Sequence, residues 1–157
     1  MNDRSKGMND RSKEMSDRSK ATTRPGRIDC ELRTTLPATL EAIEEFMAEF
    51  RKRSDAMLDH VNCFAAELLV REALTNAVIH GCRTNPGKHV RCYLRLRGRN
   101  LLIAIKDEGD GFDWRALRNY AAPDSACSGR GIEILRQYAS RLRFNEKGNL
   151  VAMVKRF

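Results

Sequence analysis

The sequence predicts an α+β fold: a two-layer sandwich in which a mixed, mostly antiparallel sheet is covered on one face by helices. Three observations predict it. The stretch His89–Arg97 alternates cleanly, with Val90, Cys92, Leu94 and Leu96 on one side and Arg91, Tyr93, Arg95 and Arg97 on the other. That is a strand with one packed face and one wet face. Residues 61–79 form a helical run that is apolar almost all the way round and therefore needs cover on most sides. The periodicities follow one another as β-α-α-β-β-α-β-β, which suits helices gathered on one face of a hairpin-built sheet.

The chain has 157 residues, of which 41% are hydrophobic, enough for one domain with a sizeable core. No apolar run reaches the ~18 residues of a membrane span. The polar N-terminus lacks the apolar centre of a secretory signal, so the cytoplasm is expected. Five cysteines without a Cys-x-x-Cys pair read as reduced thiols rather than a zinc site. The net charge of +8 divides evenly: residues 1–28 carry eight Lys/Arg against four Asp/Glu, and residues 29–157 carry 21 against 17. A mildly basic domain suits a nucleotide or an acidic partner as well as nucleic acid.

Residues 1–28 are expected to be a disordered basic tail. They contain a threefold repeat, MNDRSKG, MNDRSKE and MSDRSKA, with one apolar residue per unit where a coiled coil needs two. The domain then occupies residues 29–157. Residues 29–36 read as a strand. Pro37 is expected to open a helix with Leu40, Ile43, Phe46, Met47 and Phe50 at core spacing and Glu41, Glu44, Glu45 and Glu49 on a solvated face. Asp55 or Asp59 caps the second helix, which stops at Gly81. Its stripe Glu67, Arg71 and Thr75 is expected to face water, with Glu67 and Arg71 as an i,i+4 pair. After the turn Asn85-Pro86-Gly87 come His89–Arg97 and a strand over 101–107, in which Asp107 continues the core-facing phase. A short amphipathic piece surrounds Trp114 and Leu117. Gly129-Arg130-Gly131 opens a third helix, and two last strands flank a Lys147-Gly148 turn.

Certain polar residues do not fit a purely structural account. Glu72, Asn76 and His80 recur at spacing four on the second helix, off its wet side and among small apolar neighbours. A buried carboxylate and carboxamide need partners. Asp107 ends a strand directly before Gly109 and Gly111, and Gly129 and Gly131 stand at a helix start. Backbone N–H groups there can approach a phosphate. A buried Asp107 can accept a hydrogen bond from an exocyclic amino group, which would select adenine. The Asn76 amide oxygen suits Mg²⁺, and Glu72, one turn away, can act as a base on a hydroxyl or water.

The motifs EALTNAVIHG, DEGDGF and SGRGIEIL, in this order, resemble those of the GHKL ATPases. Within that superfamily they are most similar to the anti-sigma-factor serine/threonine kinases of sporulation and stress control. The resemblance covers roughly residues 30–157 and implies a Bergerat-type ATP-binding fold. It implies that Glu72 is the general base, that Asn76 ligates Mg²⁺ and that Asp107 binds the adenine amino group. By the same likeness Gly109 and Gly111 line the adenine and ribose pocket. Gly129 and Gly131 hold phosphates at the end of a lid over 119–128, and His80 has a structural role at the helix end. Two positions depart from the pattern. Asn149 stands where the last strand usually carries hydroxyls, and can replace them as a hydrogen-bond partner. Cys127 stands where an Arg is common, and Arg130 can supply that charge.

The implied function is an ATP-dependent kinase that binds a sigma factor and phosphorylates a STAS-type antagonist, as a homodimer, without direct contact with nucleic acid or membrane. The alternative, favoured by Cys127 and Asn149, is an ATP-binding switch that sequesters a partner without transferring phosphate. A sensor histidine kinase fits less well, since no helical pair with a phosphoacceptor His precedes the domain. A nucleic-acid binder would rest on Arg91, Arg95 and Arg97 with few aromatics to stack on.

Overall fold

Alternating side chains along five segments produce five strands, and in the computed structural model these join into one sheet. The structure describes residues 29–55, 58–116 and 130–157. The 1–28 tail, the 119–128 lid with Cys127, Leu117 and Gly129 lie outside the described residues. The strands are β1 (Asp29–Pro37), β2 (His89–Arg97), β3 (Asn100–Asp107), β4 (Arg141–Phe144) and β5 (Leu150–Arg156). Their order is β1-β2-β3-β5-β4 and all four pairings are antiparallel.

Register fixes what each face carries. Leu32, Leu94, Ile103, Met153 and Leu142 form one continuous cross-strand row. That row lies under α1 (Leu40–Asp55), α2 (His60–Asn76) and α3 (Gly131–Tyr138). Ile43 and Met47 of α1, Leu69 and Leu74 of α2, and Leu135 of α3 are fully buried against it. The helices thus cover one face, as the periodicity predicts.

Helix α1 begins later than expected. Pro37 is the last residue of β1, opposite His89. On an edge strand its missing N–H costs no ladder bond. Thr39 caps the helix instead, its Oγ1 accepting from the Ala42 amide at 3.2 Å. Asp59 caps α2, accepting from the Asn62 amide at 2.9 Å.

The stripe on α2 also differs from expectation. Glu67 and Arg71 do not pair with each other. Arg51 of α1 donates to Glu67 at 2.9 and 3.0 Å, and Arg71 makes a two-pronged contact with Glu44 of α1. An i,i+4 pair is worth only a few tenths of a kcal/mol. Forked guanidinium–carboxylate geometry across the helix pair wins, and it sets α1 beside α2. Part of the acidic face of α1 is therefore an interhelix contact.

Past Asn76 the helix widens into a π-helical turn, Ala77–Gly81, closed by the Cys82 amide on the Ala77 carbonyl at 2.8 Å. Such a turn re-aims the last helical residues and often marks a functional position. Here it carries Gly81 to the end of β3.

Because helices cover only one face, equal truncations on the two faces should differ. Ile103→Ala, at a fully buried site, should cost about 2–5 kcal/mol in urea unfolding. Leu102→Ala, on the uncovered face, should cost about 1 kcal/mol or less.

Candidate functional site

Alternation places Asp107 inward at the last residue of β3, and the surroundings leave the residue 9% exposed. Oδ1 accepts from the Gly109 amide at 2.7 Å. Burial pushes the carboxyl above its ordinary value of 3.8, while the Gly109 amide and the more distant Lys147 and Lys88 pull the other way. The backbone of Gly81 packs directly on this carboxylate. A methyl group on Gly81 would stand 2.6 and 2.8 Å from its two oxygens, and one on Gly109 would collide with the Gly81 carbonyl. Only glycines permit this approach of the end of α2 to the end of β3.

Asn149 completes that corner. Its amide donates to the Asp107 carbonyl at 3.2 Å and its Oδ1 accepts from Asn145 at 2.8 Å. The Asp107 amide in turn donates to the Asn149 carbonyl at 3.0 Å. Both ends of the Asn149 side chain are thus engaged within the protein, holding β3 to the β4–β5 turn. Gly111 and Gly148, both with positive φ, bring the loop after β3 against the same turn. Trp114 Nε1 donates to the Asn145 carbonyl at 2.8 Å and its ring stacks on Phe144.

The second cluster lies back along α2. Glu72 and Asn76 sit one turn apart, half-buried, and α3 starts directly against them. A methyl group on Gly131 would lie 2.9 Å from Asn76 Nδ2, 3.0 Å from Asn76 Oδ1 and 3.0 Å from Glu72 Oε2. Asn76 Nδ2 is buried and has no hydrogen-bond partner among the described residues. A buried carboxamide with an unmet polar atom among the described residues is a place where a further partner fits. Gly81 follows Glu72 by nine positions, about 13 Å along the helix. One element therefore carries both a polar pair facing a helix N-terminus and a glycine opening onto a buried carboxylate.

This donor set fits a nucleotide with its phosphates at the Asn76 end and its base at the Asp107 end. For Mg²⁺, no group of three or more His, Cys, Asp or Glu side chains is placed to hold a metal among the described residues. An ion there would rely on Asn76 together with phosphate oxygens, an arrangement that suits Mg²⁺.

The histidine kinase-like ATPase domain family matches residues 34–155. The chain belongs to this family. Its similar relatives are anti-sigma F factors. That of Clostridium beijerinckii is 31% identical over 108 residues, 66% of this chain and 74% of the relative. That of Clostridium acetobutylicum is 28% identical over 118 residues, 71% and 80%. That of Shouchella clausii is 33% identical over 79 residues, 48% and 54%. The anti-sigma kinase branch expected from the motifs is thus the one the chain joins, and ATP is the nucleotide the domain implies.

In this ATPase domain the structure brings together Glu72, Asn76 and Gly131 in one cluster and Gly81, Asp107, Gly109 and Asn149 in the other. Arg130 precedes α3 as its N-cap residue and is exposed. His80 is exposed at the end of the π-helical turn. Sequence reasoning treated Gly81 only as a helix stop and did not single out Asn145. The signal for Gly81 was present in its place inside EALTNAVIHG. Asn145 carried none, because its role is to tie a turn whose geometry exists only in the fold. A cavity of about 1060 Å³ lies elsewhere, along Arg33, Arg91 and Tyr93. Chemistry, rather than cavity size, locates the site. The described cysteines are free thiols, and burial pushes Cys92 up to about 12.

The raised Asp107 pKa has a definite sign. The folded chain holds this proton more firmly than the unfolded chain, so the group favours folding below pH 3.8 and that contribution is lost as pH rises through the folded value. Asp107→Asn keeps an acceptor for Gly109 without a buried charge. It should melt no lower than the wild type at neutral pH and lose less stability between acid and neutral pH. Thermal melts over a pH series check this; parallel curves for the two proteins would contradict it.

Proposed function

We propose that the chain is an ATP-dependent protein serine/threonine kinase that also acts as an anti-sigma factor, holding a sigma factor and phosphorylating a STAS-type antagonist. One observation carries the catalytic part: the N-terminus of α3 lies so near Glu72 and Asn76, whose Nδ2 has no partner among the described residues, that a methyl group on Gly131 would stand 2.9–3.0 Å from their polar atoms. Helix N-termini favour anions, and a carboxylate beside a bound phosphate is placed to accept a proton.

In this reading Asp107, buried and locked by Gly109, accepts the adenine amino group. Asn149 keeps its backbone in place, and Gly109 and Gly111 leave room for adenine and ribose. The first turn of α3 at Gly131, with Gly129 and Arg130 beside it, cradles the phosphates. Asn76 would hold Mg²⁺, which supplies charge neutralisation on the phosphates when bound. Glu72 takes the proton from the acceptor hydroxyl as its oxygen bonds to the γ-phosphorus. The bond from that phosphorus to the β–γ bridging oxygen breaks, and ADP leaves. The chain's share is positioning and electrostatics, as phosphoryl transfer generally requires. The names of the anti-sigma F factor relatives support the sigma-binding part. A homodimer remains part of the proposal by likeness to the family.

Glu72→Ala should retain ATP binding within a few-fold and lose about 10²–10⁴-fold in phosphate transfer. Asn76→Ala should lose the Mg²⁺-dependent part of ATP binding. Calorimetry with ATP and transfer of labelled phosphate to a STAS-domain antagonist measure the two. Transfer at the normal rate by Glu72→Ala refutes the base assignment. ATP binding by the wild type without any labelled antagonist supports a non-catalytic switch instead.

A further inference from the structure

The loop that follows β3, residues 108–113, is held at both ends by one turn. At its start Asn149 donates to the Asp107 carbonyl at 3.2 Å. At its end the Trp114 indole N–H donates to the Asn145 carbonyl at 2.8 Å. Asn145 joins the two, because its Nδ2 donates to Asn149 Oδ1 at 2.8 Å. Its Oδ1 accepts from the Gly148 and Leu150 amides at 2.8 and 3.1 Å, which fixes the turn itself. Between the ends, Gly111 lies against the Lys147 carbonyl and Gly148 against that of Phe112, with no room for a Cβ on either. A continuous line of hydrogen bonds thus runs from the Trp114 indole to the backbone of Asp107.

Trp114 is the sole tryptophan of the chain. It stands in a short turn built by Asp113, whose Oδ1 accepts from the Arg115 amide at 3.0 Å. The ring is half-buried and does not belong to the main core under the helices. An indole brings one donor and no acceptor, so its polar contact goes into this line. Phe144 stacks on the ring and meets Phe112 edge-on, and the Arg115 guanidinium lies 4.5 Å from the ring centroid. With its ring engaged in this way, Trp114 serves by holding backbone rather than by stacking on a ligand.

We propose that Trp114 is a positioning residue for the base-binding corner: acting through Asn145 and Asn149, it fixes the Asp107 backbone and so sets both the affinity for adenine and its selection over guanine. The proposal rests on the reading of Asp107 as acceptor of the adenine amino group. On the β5 side the ladder of β3 ends at Lys106 and Leu150, and beyond it Asp107 is tied to Asn149. What holds Asn149 therefore holds Asp107. Hydrogen bonds weaken steeply with misalignment, and guanine carries a carbonyl where adenine carries its amino group. A site built to bond one group rejects the analogue that lacks it only while its geometry is kept. Glu72, Asn76 and Gly131 lie in the other cluster, so this line bears on base binding and not on phosphate transfer.

The test uses the full chain. Trp114→Phe keeps a ring against Phe144 and removes the donor. Asn145→Asp keeps the acceptor for Gly148 and Leu150 and removes the donor to Asn149. In calorimetry each should weaken ATP binding about three- to tenfold, the worth of one hydrogen bond, and leave GTP within about twofold, so that selectivity falls. The double variant should lose no more than the weaker-binding single variant, since both break one line. In phosphate transfer the KM for ATP should rise by the same factor at unchanged kcat. Amide exchange should quicken at Gly109, whose N–H meets Asp107, but not at Ile103 in the middle of β3. Ile43→Val, a core change on α1, should lower the melting temperature without altering selectivity or Gly109 exchange. Unchanged selectivity in both single variants overturns the proposal, as does a fall in kcat at constant KM or losses that multiply in the double variant. A wild type with no preference for ATP sinks the base assignment of Asp107 instead. Gly109 exchange then decides whether Trp114 holds this corner: faster exchange in Trp114→Phe supports it and unchanged exchange overturns it.

Discussion

A buried carboxylate pressed against a glycine backbone holds this structure in order. Asp107 ends β3 and Gly81 ends the helical run of α2, and they meet with no side chain between them. Leaving a carboxylate largely out of water is unfavourable, and its raised pKa records that. The Gly109 amide offsets part of the cost, and the Asn149–Asn145 pair holds the backbone on which the carboxylate stands. The Asp107 carboxylate is held by the Gly109 amide and its backbone by Asn149.

The same contact explains the π-helical turn. Had α2 continued as a regular α-helix through Gly81, its last residues would point elsewhere and the register between helix and sheet would change. Widening over Ala77–Gly81 redirects the chain end toward β3 while Glu72 and Asn76 stay in the regular part of the helix, facing α3. One helical run thereby reaches both the start of α3 and the end of β3. Its orientation is held from the far side by the Arg51–Glu67 and Arg71–Glu44 contacts with α1. These pairs add little stability each, but they orient the element that carries Glu72 and Asn76.

The sheet divides its labour by face. Its inner rows are packed by Ile103, Ile105 and Met153 under the helices, which provides the stiffness against which Asp107 is set. Its outer rows combine aliphatic and basic side chains without a covering layer among the described residues. Strand alternation makes this separation possible, since neighbouring residues of one strand can serve a core and a surface independently.

Sequence alone determined the α+β class, the strand alternation of β2 and β3, the capping of α2 by Asp55 or Asp59, between which the fold chose Asp59, and the motifs that carry Glu72, Asn76, Asp107 and Gly131. Each rests on local periodicity or on residue types at short spacing, which are written directly in the chain. Other features were decided only by tertiary structure. Pro37 could be read as a helix start until pairing with His89 placed it in an edge strand. Glu67 and Arg71 have ideal spacing for each other, yet a second helix supplied better-shaped partners. Gly81 looked like a stop signal, and only the approach of β3 made its missing Cβ a requirement. Asn149 looked like a ligand contact in place of a hydroxyl, and the fold engaged its amide with Asp107 and Asn145. In each case a deciding partner, such as Asp107 for Asn149, lies far away in sequence, so its distance and geometry exist only once the sheet and helices have packed.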